Sequence, residues 1–166
     1  MRRAVLRLCD LAAAAAGWIA TAMTFVMVAA LLLQIFFRYV IGHALTGSEE
    51  IALLMFAWIT LLLAGVGVHE DFHVRLTIGL NRLPAPMRQV WELVLLLGIA
   101  AFGVWLAIGG WRYLEETRGQ VSAAMGYPIE LLHGSGLVCG LLIALQAAGR
   151  LLAGGRAADA GPVEPL

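Results

Sequence analysis

The sequence contains His69-Glu70-Asp71-Phe72-His73, which fits the pattern H-E-x-x-H. On a helix that spacing sets two imidazoles one turn apart, where they ligate zinc while the glutamate between them serves as general base. A centre of this kind would make the chain an intramembrane zinc metalloprotease working through His69, Glu70 and His73. It also needs a third protein ligand and a cavity open to water. Asn81-x-x-Pro84 superficially resembles the second motif of such enzymes, yet no Asp follows at a useful spacing and Glu92 is the nearest candidate. The plainer reading is that these polar residues mark the cytoplasmic end of an apolar span.

Other chemistry is poorly provided for. Haem held across helices needs histidines at one depth, but His69 and His73 lie at the opposite side from His133, and His43 falls in a loop. A glycine-rich phosphate loop, a Ser-His-Asp order and a convincing carboxylate dyad are all missing from the sequence. Cys9 and Cys139 are too far apart in pattern to form a disulfide or metal framework and read as packing residues. The expectation is a protein that is not an enzyme and carries no cofactor. Net charge is zero, and without a basic tract or aromatic-basic interleaving nucleic acid is not an expected partner.

The elements that position these residues are set by composition. Of 166 residues 61% are hydrophobic and 13% charged, outside the soluble balance. The apolar residues gather into four blocks, about 11–37, 51–68, 90–114 and 131–152, each near the roughly 20 residues that span hydrocarbon. Only a helix satisfies its own backbone in lipid at these lengths, so the expected fold is all-α with four transmembrane helices over residues 1–152. Arg2, Arg3 and Arg7 precede a first apolar run too long for a cleavable leader, which reads as an uncleaved anchor. With the N-terminus in the cytoplasm, eight of the eleven Arg lie inside and three outside, so both termini are expected there.

Trp91, Trp111 and Tyr113 suit the two headgroup layers of the third span, whereas Trp18, Trp58 and Trp105 fall within spans and are expected to pack on other helices. Phe72–Leu83 fits both a helical face and a period of two; a short amphipathic surface helix between spans two and three is preferred, because an unpaired strand leaves its edges open. Leu83-Pro84-Ala85-Pro86 ends it. Residues 153–166, rich in Gly, Ala and Pro, are expected to be a disordered cytoplasmic tail.

Ionisable groups deep in a span mark ion or substrate paths, and here the span centres hold almost none. Gln34 and Gln146 are polar but near span ends. A stand-alone four-helix carrier or channel is thus a poor match. Gly136, Gly140, Ala144 and Ala148 recur every fourth residue, a stripe that lets another backbone approach, with a weaker version in Gly103, Ala107 and Gly110. The spacing fits packing within the bundle and docking on a partner equally well. In the first loop Thr46 and Glu49 stand at capping-box spacing, and Arg38 either snorkels to the interface or pairs with Glu49 or Glu50.

The order Gln34-Ile-Phe-Phe-Arg38-Tyr39-Val40, Glu49-Glu50, Trp58, Ala64-Gly65, His73-Val74, Leu83-Pro84 and Met125-Gly126-Tyr127-Pro128 resembles the small Q-type (DctQ-type) membrane subunit of tripartite ATP-independent periplasmic (TRAP) transporters. The likeness runs from about Leu8 to Leu152. Gly47 departs from it, standing where the family often has Trp, and Glu70-Asp71 add acid before His73. The resemblance implies a heteromeric complex in the bacterial inner membrane. A large multi-span subunit would hold the sodium and substrate sites, and a periplasmic solute-binding protein would deliver an organic acid or related carboxylate for symport. The small subunit would serve as a scaffold, in contact with the large subunit and membrane lipid. On that basis Arg38, Tyr39, Glu49, Glu50, Trp58, His73, Pro128, Gly136, Gly140 and Ala144 are structural or interface residues.

Overall fold

A computed structural model describes residues 2–43, 45, 47–70 and 84–153. Helix α1 spans Arg2–Phe36 and continues into a π-helical turn over Phe37–Ile41; α2 spans Ser48–His69, α3 Ala85–Glu116 and α4 Glu130–Ala153. These four helices are long and apolar enough to cross a membrane, which makes the chain an all-α, multi-pass membrane protein. His73, the expected surface helix over Phe72–Leu83 and the tail from Gly154 onward lie outside the described residues.

The arginine-bearing N-terminal segment is itself helical, so α1 begins well ahead of its apolar block. Its 35 residues measure about 52 Å at ~1.5 Å per residue, longer than the roughly 30 Å hydrocarbon layer. Gly42, with φ 80°, ends the π-helical turn by adopting a left-handed conformation. Pro84 leads into α3 from an extended conformation, with a further proline in the first turn, where no amide donor is needed.

The capping box expected from Thr46 is not what opens α2. Gly47 is the N-cap, with φ 108° and no side-chain cap, while Ser48 Oγ donates to the Leu45 carbonyl at 2.9 Å; Thr46 lies outside the described residues. The backbone conformation at position 47 favours glycine. Its φ is left-handed, and an added Cβ would lie 2.7 Å from Met125 Cγ.

Helix α4 is the hub. It packs against α1, α2 and α3, whereas α3 packs mainly against α4. Ala16, Ala20, Leu62 and Leu142 form one buried cluster, with Trp58 against it, and Val68, Cys139 and Ile143 form a second beside Ile99 and Leu106. The small-residue stripe has its partner inside the chain along much of its length. A Cβ on Gly103 would lie 2.8 Å from Ala144 N, one on Gly110 would lie 2.6 Å from Leu137 N, and one on Gly140 would collide with the Ala107 backbone. Backbones that approach so closely gain dispersion contacts in place of a hydrophobic drive that lipid does not supply. Gly136 differs, since a Cβ there would meet nothing within 4 Å.

Two of the tryptophans expected to pack on other helices do not. Trp18 is 77% and Trp105 73% exposed on the outer faces of α1 and α3. Hydropathy is the same for a side chain that faces lipid and one that faces a helix, so the apolar blocks carry no record of which face is which.

Candidate functional site

The candidate residues fall at the two ends of the bundle, where loops and helix termini leave polar groups to be satisfied. At the loop end, Gln34 of α1 donates from Nε2 to Glu49 Oε1 at 2.9 Å. The neighbouring Glu50 uses both carboxylate oxygens on the segment between α3 and α4: Oε1 accepts from Ala124 N at 2.9 Å and Oε2 from Met125 N at 3.0 Å. A carboxylate taking two amide hydrogen bonds is a strong, directional tether. The segment is folded on itself as well, with Ser122 N donating to Tyr127 O at 2.9 Å and Ile129 N to Gln120 O at 3.0 Å, and Val121 bridging to Pro128. Burial, and then the Glu50 carboxylate, raise the pKa of the Tyr127 phenol above its ordinary value.

Glu50→Gln turns one of the two acceptors into a donor facing an amide donor. The exchange is expected to loosen the segment between α3 and α4 locally. Hydrogen exchange at Ala124 and Met125 checks it; unchanged protection would remove Glu50 as the tether.

Arg38 and Tyr39 project outward from the π-helical turn. The ion pair between Arg38 and Glu49 or Glu50, one of the two sequence alternatives, is not formed. Arg38 instead lies 6.0 Å from the centre of the Tyr39 ring, and Glu49 and Glu50 are taken up by Gln34 and the amides above. Trp58 holds α2 to α4 by donating from Nε1 to the Leu131 carbonyl at 2.8 Å. Below it, Thr117 Oγ1 donates to Tyr113 O at 2.8 Å and therefore accepts from His133 Nδ1 at 2.9 Å. The Tyr113 and His133 rings lie 4.2 Å apart.

At the other end, α1 begins beside the end of α4. Gln146 is 1% exposed and fully used. Its Nε2 donates to the Cys9 carbonyl at 2.9 Å, which fixes the amide orientation and leaves Oε1 facing His69 Nδ1 at 3.0 Å. An amide oxygen only accepts, so His69 carries a proton on Nδ1. Nε2 of the same ring lies 3.6 Å from Asp10 Oδ1. One side chain thus joins α1, α2 and α4. Arg150 adds a hydrogen bond to the Val68 carbonyl at 3.2 Å, and Arg2 one to the Ala153 carbonyl at 2.9 Å. Within α3, Arg88 pairs with Glu92 at 2.9 Å.

This geometry bears on the H-E-x-x-H pattern. The helix ends at His69, with Glu70 as its C-cap at φ −82° and ψ 6°, and His73 lies outside the described residues. His69 is committed to Gln146. Among the described residues no group of three or more His, Cys, Asp or Glu could hold a metal ion. What the polar groups do is hold helices and a loop in register.

Sequence reasoning set Gln34 and Gln146 aside as polar residues near span ends and did not connect them to Glu49 or to His69. The usable signal was isolation: an amide in an apolar helix must find a partner, and the only polar groups at its depth are on neighbouring helices. The Met125 contact with Gly47 left no such trace.

The chain has known relatives. The family described as tripartite ATP-independent periplasmic transporters, DctQ component, matches residues 27–156. The C4-dicarboxylate TRAP transporter small permease protein DctQ of Vibrio cholerae is 35% identical over 80 residues, covering 48% of this chain and 34% of that protein's length. A Haemophilus influenzae protein named as a TRAP transporter small permease is 22% identical over 120 residues, 72% of this chain and 74% of that one. With most of its residues inside the family match and four helices able to cross a membrane, the chain belongs to the DctQ component family of TRAP transporters.

Proposed function

We propose that this TRAP small permease subunit is a scaffold, which stabilises a large multi-span membrane subunit during sodium-coupled uptake of an organic acid or related carboxylate. A periplasmic solute-binding protein delivers the solute. The observation that carries the scaffold reading is the use made of the polar groups at the two ends of the bundle. Gln146 spends both ends of its amide on helix-to-helix contacts, and Glu50 spends both oxygens on a loop. A transport path needs polar groups free to exchange partners. Apolar side chains such as Phe25 and Leu32 on α1, and Leu97 and Phe102 on α3, are exposed and available to a partner or to lipid.

Within this reading the candidate residues divide by position. Glu49, Glu50, Trp58 and Pro128 shape the loop end, Gly140 and Ala144 seat α3, Gly136 stays open for another surface, and Arg38 and Tyr39 offer polar contacts to the large subunit. His73 belongs to the segment before α3. The excess of Arg near the termini and in the segment between α2 and α3 supports an inner-membrane orientation with both termini cytoplasmic.

Co-expression with the large subunit of a TRAP system tests the proposal. The two chains are expected to co-purify from mild detergent, and liposomes are expected to take up solute only with both chains, the binding protein and an inward sodium gradient. Uptake by liposomes holding this chain alone, or its purification free of a co-expressed large subunit, would overturn it.

A further inference from the structure

A groove of about 550 Å³ runs along the outer surface between α1 and α2, apart from the loop end and the α3 seat. On α1 it extends from Asp10 to Thr21, a rise of about 16 Å, or about three helical turns, at ~1.5 Å per residue. Asp10, Ala14, Gly17 and Thr21 stand at i, i+4, i+7 and i+11 and so share one face of α1. Small residues on one face let a second backbone come close in lipid. Gly103, Gly110 and Gly140 have that neighbour within the chain, whereas a Cβ on Gly17 would meet nothing within 4 Å. Thr21 returns its hydroxyl to the Gly17 carbonyl at 2.9 Å and asks no polar partner of the groove. Leu63 and Val66 of α2 line it too, as does Trp18, 77% exposed.

One end is charged. Asp10, His69 and Glu70 close the groove where α2 terminates, and the C-terminal carbonyls of that helix add partial negative charge. One Asp10 oxygen lies 3.6 Å from His69 Nε2, yet the Asp10 side chain is 68% exposed, and Glu70 is exposed at the C-cap. Among the described residues neither carboxylate forms an ion pair with an arginine. Read outward from the bilayer centre, the groove offers an apolar floor with an empty glycine position and then two carboxylates that face a common opening.

We infer that this groove seats one helix of the large membrane subunit, with a Lys or Arg at the cytoplasmic end of that helix on Asp10 and Glu70; the inference rests on the scaffold reading above. Charge complementarity selects this occupant. Multi-span proteins carry their excess of Lys and Arg on the cytoplasmic side. A partner helix therefore brings apolar or small side chains, then a cation, then water, which is the order in which the groove can receive them. A phospholipid brings its phosphate first and meets the carboxylates with like charge. A second copy of this chain fares no better, because a two-fold pair sets equal depths face to face and would oppose Asp10 and Glu70 to their own counterparts. The chain's own residues 71–83 are a poorer occupant, because Arg75, Asn81 and Arg82 would have to follow the groove into hydrocarbon.

The full chain, co-expressed with the large subunit of a TRAP system and purified in mild detergent, tests this. With the photoreactive aromatic benzoylphenylalanine in place of Trp18, irradiation is expected to join this chain to the large subunit. Gly17→Leu, whose side chain fills the open floor, is expected to lower the recovery of the large subunit about tenfold while the variant purified alone keeps its helicity and thermal midpoint. The double variant Asp10→Asn, Glu70→Gln is expected to lower recovery by about the same factor through loss of the charge-assisted contacts. If the wild-type complex forms, undiminished recovery with either variant overturns the groove as its seat, and so does a crosslink from position 18 found only on lipid, on residues 71–83 or on a second copy of this chain. Absence of any complex with the wild type overturns the scaffold reading, and this inference with it.

Discussion

Gly140→Ala is expected to unseat α3 from the bundle, whereas Gly136→Ala, one turn earlier on the same stripe, is expected to be tolerated. An added methyl at position 140 would lie 2.7 Å from Ala107 Cα and equally close to the Gly103 carbonyl oxygen. These are backbone atoms of a helix and cannot rotate aside, so the two axes must separate along their whole contact. Overpacking in a well-fitted core costs about 1–3 kcal/mol, and the effect here sits at or above the upper end because α3 rests mainly on α4. At position 136 the same methyl enters open space, and exchanging glycine for alanine within a helix favours the helix by about 1 kcal/mol. Thermal unfolding followed through tryptophan fluorescence separates the two. Equal midpoints for both variants would show that the interlocked backbones do not set stability.

Gln146→Leu is the second large effect. Leucine fills most of the volume but strands the His69 Nδ1 proton and removes the bond to the Cys9 carbonyl. Leaving a buried donor without an acceptor costs about 1–3 kcal/mol, whereas replacing both partners with apolar groups is often far milder. The double variant Gln146→Leu, His69→Leu is therefore expected to be more stable than the sum of the single variants implies. A double-mutant cycle on thermal midpoints measures that coupling. Strict additivity would mean that His69 and Gln146 do not depend on one another.

The sequence made the four spans readable because hydrocarbon imposes a length and an internal hydrogen-bonding rule on any segment crossing it. It was less informative about ends. Arg2 and Ala85 fall inside helices that begin before their apolar blocks, since a helix continues into the headgroup layer where polar residues cost nothing. The spacing of Gly136, Gly140 and Ala144 announced a close approach and left its partner open; that Gly103 and Gly110 supply the facing surface required the relative placement of two helices. Trp18 and Trp105 show the same limit from the other side. Of the candidate site residues, Glu50 was visible as an acid near a helix start, but the amides of Ala124 and Met125 that it binds lie far along the chain and belong to a segment without periodicity.

The central position of α4 also imposes an order in time. It is the last of the four helices to leave the ribosome, and it is the surface on which the other three converge. While it is still being made, α1 and α2 have each other, but α3 sits in lipid with its glycine face uncovered and its eventual neighbour not yet inserted. Seating of α3 therefore waits for the arrival of that one segment. A chain interrupted before Glu130 would leave the membrane's quality-control proteases a hairpin and a stray helix.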